Sequence, residues 1–437
     1  MRKRILTAAV AAATLASGAQ AAGFYLKEQS VVGQGRAFAG SAAGTDGASA
    51  AYFNPAGIVG VEKQVEFGVH YIKPDTEVSD NGSNFNGTPI DNAALTTTVA
   101  LGSLVEMDKQ EPYDGKLVPN FHYIHPVDEK TAASIYVGAP FGFGNEYDED
   151  YFAQYDSIKN ELSVIELSAS LAKALSDTLN VAFSLNYQTL DVEQTAQSAP
   201  NIISTLKGDA NEIGYVLSFQ KQYGATTLGF SHRSETTHDV TGTQSFFNKT
   251  TKAPTTAGAL SEVVDATATF GLPSITALGL AHQATDSTSY YADVTFYGWS
   301  NYERGNVTAA DSDDGLAAGT IFNPAISNYK DTLSFAVGMD HNYGNGLTVR
   351  AGVHYDPTPT VDAYRSTSTP DGDRTWLATG FSKEMNEALT IDGALTYILV
   401  DDGIVDKSTV KSFGTINTKA KAEGSVGIVS LGFRYKF

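Results

Sequence analysis

The densest chemistry in this 437-residue chain is EYDEDYF, residues 146–152, which carries four carboxylates. A hard divalent cation would suit such a cluster, but calcium loops present their oxygens at fixed offsets, and no such spacing occurs here. A solvated loop is the expectation. Eight histidines and many serines show neither a nucleophile–base triad nor metal-ligand spacing. Cysteine is absent, so no thiol or disulfide chemistry is available. Four cations sit in otherwise polar-and-apolar strings: Arg233 in HRSETTHDVTG, Lys330 in YKDTLSF, Arg350 in LTVRAGVHY and Arg374 in TPDGDRTW. Arg374 has Asp371 and Asp373 beside it, which favours pairing within the chain. No catalytic residue, metal or cofactor is expected, and the chain does not read as an enzyme.

The elements that must position these residues begin after a leader. Arg2, Lys3 and Arg4 precede the apolar run ILTAAVAAATLA and the small-x-small site Ala19-Gln20-Ala21. This is the pattern of a secretory signal peptide over 1–21, too short to span as a helix. Its removal makes the formal charge of −20 more negative by three. An acidic chain has few cations with which to displace counterions from phosphates, which argues against nucleic acid. Beyond the leader no run approaches 18 consecutive apolar residues, so no helical span is expected.

From Gln64 the periodicity is two. LNVAFSLNYQTL places Leu179, Val181, Phe183, Leu185 and Tyr187 on one face, with Asn180, Ala182, Ser184, Asn186 and Gln188 on the other. QVEFGVHYIK, EIGYVLSFQ, DTLSFAVGMD, LTVRAGVHY and LTIDGALTY repeat the pattern. Strands are predicted over 64–73, 118–126, 131–139, 161–173, 179–191, 211–222, 226–237, 274–283, 289–299, 331–341, 347–355, 374–384, 389–399 and 425–437. Short connections such as VDEK and NYGNG alternate with long ones over 74–117, 140–160, 192–210, 238–273, 300–330, 356–373 and 400–424. Apolar-out alternation with short turns on one side and long loops on the other is the pattern of an outer-membrane barrel. The fold class is all-β: a 14-stranded antiparallel transmembrane β-barrel over 61–437. Residues 262–270 are assigned to a loop, because single-chain bacterial barrels use even strand numbers. Fourteen strands enclose a lumen too wide for side chains to fill. Residues 22–60, rich in Gly, Ala and Ser and including AYFNPAG, lack strand alternation; Phe24, Tyr25, Phe38, Tyr52 and Phe53 favour packing over a disordered tail. They are expected to plug the lumen.

The chain resembles the FadL/TodX family of outer-membrane transport proteins over its whole mature length. AGFYLKEQSVVGQGRAFAGSAAG with ASAAYFNPAG resembles the family's N-terminal hatch. GAPFGFGNEY resembles the third strand and its exit. DVTFYGWSNYE resembles the ninth strand, and TPDGDRTW the C-terminal third. The terminal FRYKF is shared by many barrels. The resemblance implies an outer-membrane location in a Gram-negative bacterium, a monomer, and passive uptake of long-chain fatty acids or similar hydrophobic molecules without a cofactor. It implies capture by extracellular loops, an internal pocket, a shift of the hatch around Asn54, Pro55 and Ala56, and sideways exit beside the third strand. Gly138, Pro140, Gly142 and Gly144 would weaken strand pairing there. Ile202, Ile203 and Leu206, expected on one side of a short helix, and Phe246 and Phe247 are the candidate groove residues. Lys330, Arg233, Arg350 and Arg374 are the candidates for a ligand carboxylate, which is costly to bury unpaired. Where a fatty acid transporter of the family carries a ligand-facing arginine, this chain has Gln194, which keeps aromatic hydrocarbons open as substrates. A general porin, an adhesin and a barrel enzyme are the competing classes. Outer-membrane lipid and lipopolysaccharide, the latter bridged by divalent ions to residues 146–152, are the expected neighbours. The second FNPA, from Phe322 to Ala325, is read as coincidence.

Overall fold

The computed structural model describes residues 23–89, 109–255, 262–302, 306–310, 318–323 and 327–437. The leader 1–21, and Pro324 and Ala325 of the second FNPA, lie outside them. Strand-forming alternation produces fourteen wall strands: β1 (Gln64–Asp80), β2 (Lys116–Asp128), β3 (Thr131–Glu146), β4 (Lys159–Ser176), β5 (Leu179–Ala199), β6 (Ile202–Tyr223), β7 (Thr226–Arg233), β8 (Ser274–Gln283), β9 (Thr288–Gly298), β10 (Thr332–Asn342), β11 (Leu347–Asp356), β12 (Arg374–Glu384), β13 (Leu389–Lys411) and β14 (Gly414–Lys436). Each pairs antiparallel with the next, and β1 pairs with both β2 and β14, so the wall closes. Closure leaves no sheet edge inside lipid, where an unpaired backbone group has no water to turn to.

The alternation has the predicted sense. On β5, Phe183, Leu185 and Tyr187 face outward and exposed, while Ser184 and Asn186 are buried toward the lumen. Charged residues follow the inner face: Arg350, His354 and Asp392 are buried.

Several extents differ from the sequence reading: β1 and β3 run on to Asp80 and Glu146, and β7 stops at Arg233. The expected loops 192–210 and 400–424 are largely ladder: β5 and β6 run to a turn at Pro200-Asn201, and β13 and β14 to one at Ser412-Phe413. Ile202, Ile203 and Leu206 therefore lie on β6, not on a helix. Outside the membrane a strand needs no apolar outer face, so the pattern that marks lipid contact stops while backbone pairing continues. Residues 262–270 also form a strand, Val263–Leu272. It pairs with Thr236–Asn248, which leaves the wall after β7 and pairs with the outer half of β6. Neither joins the ring, because β7 pairs directly with β8.

Residues 23–60 are almost entirely buried against inward-facing side chains. They form short turns of helix, including Val31–Gln34, Ala50–Phe53 and the 3₁₀ turn Pro55–Ile58. The approach to the wall is close. A Cβ built on Gly229 of β7 would lie 1.8 Å from the Ala42 carbonyl oxygen, so only glycine fits there.

Candidate functional site

The wall is interrupted beside β3. The β2–β3 ladder runs from Asp128–Thr131 to Phe121–Val137 and then stops, although both strands continue. On its other side β3 slips in register against β4 between Gly138 and Phe141. Pro140 has no N–H to donate to a ladder. A Cβ at Gly138 would sit 2.3 Å from the Tyr136 hydroxyl and 2.6 Å from Gln29 Oε1. These are the glycine and proline positions singled out in the sequence. Gly142, which is buried, and Gly144 lie where β3 has lost β2 but pairs with Ser163 and Glu161 of β4. At the extracellular end the interruption closes where Glu146 N donates to Pro112 O at 2.9 Å.

The N-terminal segment covers this opening from inside. Leu26 N donates to Pro140 O at 2.8 Å, and Gly142 N donates to Phe24 O at 2.9 Å. The Gln29 side chain donates to Ala139 O at 2.9 Å and accepts from the Tyr136 hydroxyl at 2.6 Å. Phe24 stacks edge-on with Trp299, its ring centroid 4.9 Å away, and Tyr25 lies 5.3 Å from Phe141. Glu28, in the middle of this stretch, is buried and its Oε2 has no hydrogen-bond partner among the described residues. Burial pushes its carboxyl up to about 7, against the pull of Arg374 and Lys27. Burial likewise lowers the Lys27 ammonium, whose Nζ lies 3.0 Å from His354 Nε2.

The Asn54-Pro55-Ala56 turn is held elsewhere. Asn54 Nδ2 donates to Ala42 O at 2.6 Å and Phe219 O at 3.0 Å, while its Oδ1 accepts from Ala56 N at 3.1 Å. Ala56 N also donates to Ser218 Oγ. The motif pins the segment to β6, and the hydrogen bonds to the interrupted part of β3 come from Phe24–Gln29 instead. A second anchor is ionic. Arg36 pairs with Asp46 and with Asp340 at 3.0 Å, and its guanidinium lies 3.9 Å over Tyr291.

The four sequence-selected cations are largely committed. Arg233 makes a two-oxygen contact with Glu166 at 2.7 and 2.8 Å and covers the Tyr52 ring. Arg350 bonds Asp340 at 3.2 Å and Ser382 at 2.7 Å. Arg374 pairs with Asp371, as its neighbours suggested, although Nε and Nη1 find no hydrogen-bond partner among the described residues. Lys330 is exposed in the loop before β10 and faces no lumen. A cavity that Arg233 lines between segment and wall measures about 50 Å³, room for water and not for a long ligand.

Larger spaces lie above. One cavity of about 310 Å³ has Phe143, Tyr302, Phe322 and Tyr329 together with Arg365, Lys407 and Lys411 in its lining. An adjoining one of about 300 Å³ is lined by Leu206, Phe246, Val307 and Ile321. Gln194, Ser204 and Phe322 border both. Of the predicted groove residues, Leu206 and Phe246 line this space. Ile203 is buried, Ile202 packs beside Phe246, and Phe247 is half-buried. Of the acidic run 146–152, Glu149 and Asp150 pair with Lys252 and Lys249.

Sequence reasoning missed Gln29, Arg365, Lys407 and Lys411. The lysines had a readable signal: Val405, Lys407, Thr409 and Lys411 continue the period of two, and they face inward while Ile404, Asp406, Ser408 and Val410 are exposed.

A closed ring of fourteen strands, interrupted at the third and filled by its own N-terminus, can be compared with known proteins. The model describing outer membrane protein transport proteins (OMPP1/FadL/TodX) matches residues 12–437. The chain belongs to this family. It is an outer-membrane transport protein for hydrophobic substrates. Outer membrane protein P1 of Haemophilus influenzae is 26% identical over 465 aligned residues, covering 97% of this chain and 96% of that protein. The long-chain fatty acid transport protein of Escherichia coli O6:H1 is 24% identical over 468 residues, with 98% and 97% covered. In fold, a Pseudomonas aeruginosa FadL homologue superposes with a TM-score of 0.85 at 22% identity, over 95% of this chain and 100% of that one. The P. putida toluene transporter TodX gives 0.59 at 15%, over 90% and 94%.

Proposed function

We propose that this member of the family takes up long-chain fatty acids or similar hydrophobic molecules passively. Extracellular elements capture the ligand in the paired cavities, residues 23–60 act as a hatch that rearranges, and the ligand leaves sideways beside β3. The observation that carries this reading is the interrupted β2–β3 ladder, covered by backbone bonds from Phe24 and Leu26 and not by a neighbouring strand. Such a cover can be withdrawn without opening the rest of the ring. Sideways exit also spares an apolar chain from crossing water, at about 0.8 kcal/mol per exposed CH₂. The protein acts as a monomer, with outer-membrane lipid and lipopolysaccharide around it.

A second reading, uptake of aromatic hydrocarbons, draws on the neutral Gln194 at the border of both cavities and on the likeness to a toluene transporter. A general porin fits less well, because buried residues 23–60 occupy the lumen. Reconstitution into liposomes separates the three. Saturable oleate binding with little ion conductance supports the fatty acid reading. Toluene binding without oleate transfers the protein to hydrocarbons, and conductance with neither ligand makes it a porin.

A further inference from the structure

Capture of an acid requires a cation that the protein has not already paired, and the cations chosen from the sequence do not supply one at the cavities. Arg233, Arg350 and Arg374 are paired with wall or loop carboxylates or hydroxyls, and Lys330 lines neither chamber. The larger chamber is different. Its charged lining is Asp156, Arg365, Lys407 and Lys411. Asp156 is taken: Lys407 Nζ holds it at 2.8 Å, and the Thr367 amide and hydroxyl donate to it at 2.7 and 2.9 Å. Burial alone would raise the Asp156 carboxyl, but these donors hold it below the usual range. Arg365 is fixed by Thr360, by the Ile404 carbonyl and by the exposed Asp362. Lys411 has no ion-pair partner among the described residues. It is half-buried, four residues along the same strand face from Lys407. Burial, then the neighbouring Lys407 charge, lowers its ammonium below the ordinary value. A half-buried ammonium beside a second cation gains from any anion that reaches it.

We infer that Lys411, supported by Lys407 and Arg365, is the head-group site of the capture pocket, and that it selects carboxylate-bearing amphiphiles over neutral hydrocarbons. The carboxylate sits in the chamber of about 310 Å³ against the β13 extension. The apolar chain passes Phe322 into the adjoining chamber of about 300 Å³, against Leu206, Phe246 and Val307. Head-group recognition is thereby moved from the fifth strand, where Gln194 is neutral, to the thirteenth. The site rests on the uptake reading and sharpens its substrate class.

The test uses the full chain in detergent, with radiolabelled oleate and its uncharged counterpart oleyl alcohol. Wild-type protein is expected to bind oleate more tightly. Lys411→Gln is expected to weaken oleate about tenfold, the size of one charge-assisted hydrogen bond, and to leave oleyl alcohol unchanged. Lys411→Arg restores oleate binding. Lys411→Gln leaves the Lys407–Asp156 pair intact, and heat-modifiable gel migration verifies its fold. Equal wild-type affinity for acid and alcohol, or a variant that loses both alike or neither, overturns the head-group site while uptake stands. Wild-type protein that binds neither ligand overturns both.

Discussion

The N-terminal segment divides into two stretches that are equally buried and differently held. Residues 31–60 are clamped by charge and by backbone contact: Arg36 between Asp46 and Asp340, Asn54 on β6, and Ala42 against Gly229. Residues 24–30 have no such ion pair among the described residues: two backbone bonds to an interrupted strand, the Gln29 side chain, the Lys27–His354 contact, Asn120 and His122 on the Glu28 and Gln29 carbonyls, and several aromatic contacts hold them. They also carry a carboxylate, Glu28, with an unpartnered oxygen. Burial does not measure attachment. Removing one partner of a buried ion pair costs about 3–5 kcal/mol, whereas each neutral hydrogen bond contributes about 0.5–1.5 kcal/mol net. On the uptake reading proposed above, residues 24–30 are the part that is displaced while 31–60 keep the lumen occupied.

The largest effect is expected from Arg36→Ala. Asp46 and Asp340 lose their shared partner, and the second stretch should loosen by about 3–5 kcal/mol. Because β1 to β14 still close on each other, the barrel should keep its heat-modifiable migration while single-channel conductance in a planar bilayer rises. Unchanged conductance would remove the clamp from the comparison.

Gln29→Leu acts on the first stretch alone. It strips the Ala139 carbonyl and the Tyr136 hydroxyl of their partners, a loss of about 1–3 kcal/mol. Hydrogen exchange should accelerate at Leu26 and Gly142 and stay slow near Ala56. Acceleration spread evenly over 24–60 would mean that the two stretches move as one.

The smallest effect is a pH dependence. The Glu28 carboxyl is raised to about 7 when docked, above its ordinary 4.5. Between those values the docked state binds more protons than the undocked one, so docking is strongest at low pH and weakens as pH rises toward 7. Exchange at Leu26 should therefore be faster at pH 8 than at pH 5 once corrected for intrinsic rates. Glu28→Gln should flatten that profile. A profile that persists in the variant assigns the titration to another group.

How much of this was legible in the sequence follows from the range of the forces involved. Wall strands declare themselves locally, because lipid on one side and lumen on the other impose a period of two within ten residues. The interruption of β3 was local too, written in Gly138 and Pro140. Strand extents were misjudged where lipid ends, since β5, β6, β13 and β14 continue by backbone pairing alone. The pairings of the site are non-local: Arg233 meets Glu166 from 67 positions away and Arg36 meets Asp340 from 304. No pattern in the sequence announces such partners. Arg233 and Arg350 were thus recognisable as charges and not as charges already spent, whereas Arg374 showed its pairing through the adjacent Asp371. Lys407 and Lys411 lay within a segment read as loop, so their shared face went unseen.

The tall ladders at the extracellular side have a further consequence. β13 spans 23 residues, roughly 75 Å along the strand at about 3.3 Å per residue. Even tilted by about 40°, it stands about twice as high as an apolar band of about 25 Å. Together with the β5–β6 hairpin it raises the mouth of the pocket on stiff masts instead of slack tethers. On the uptake reading proposed above, an oily solute is then met above the sugar coat that would otherwise repel it, and handed inward under shelter.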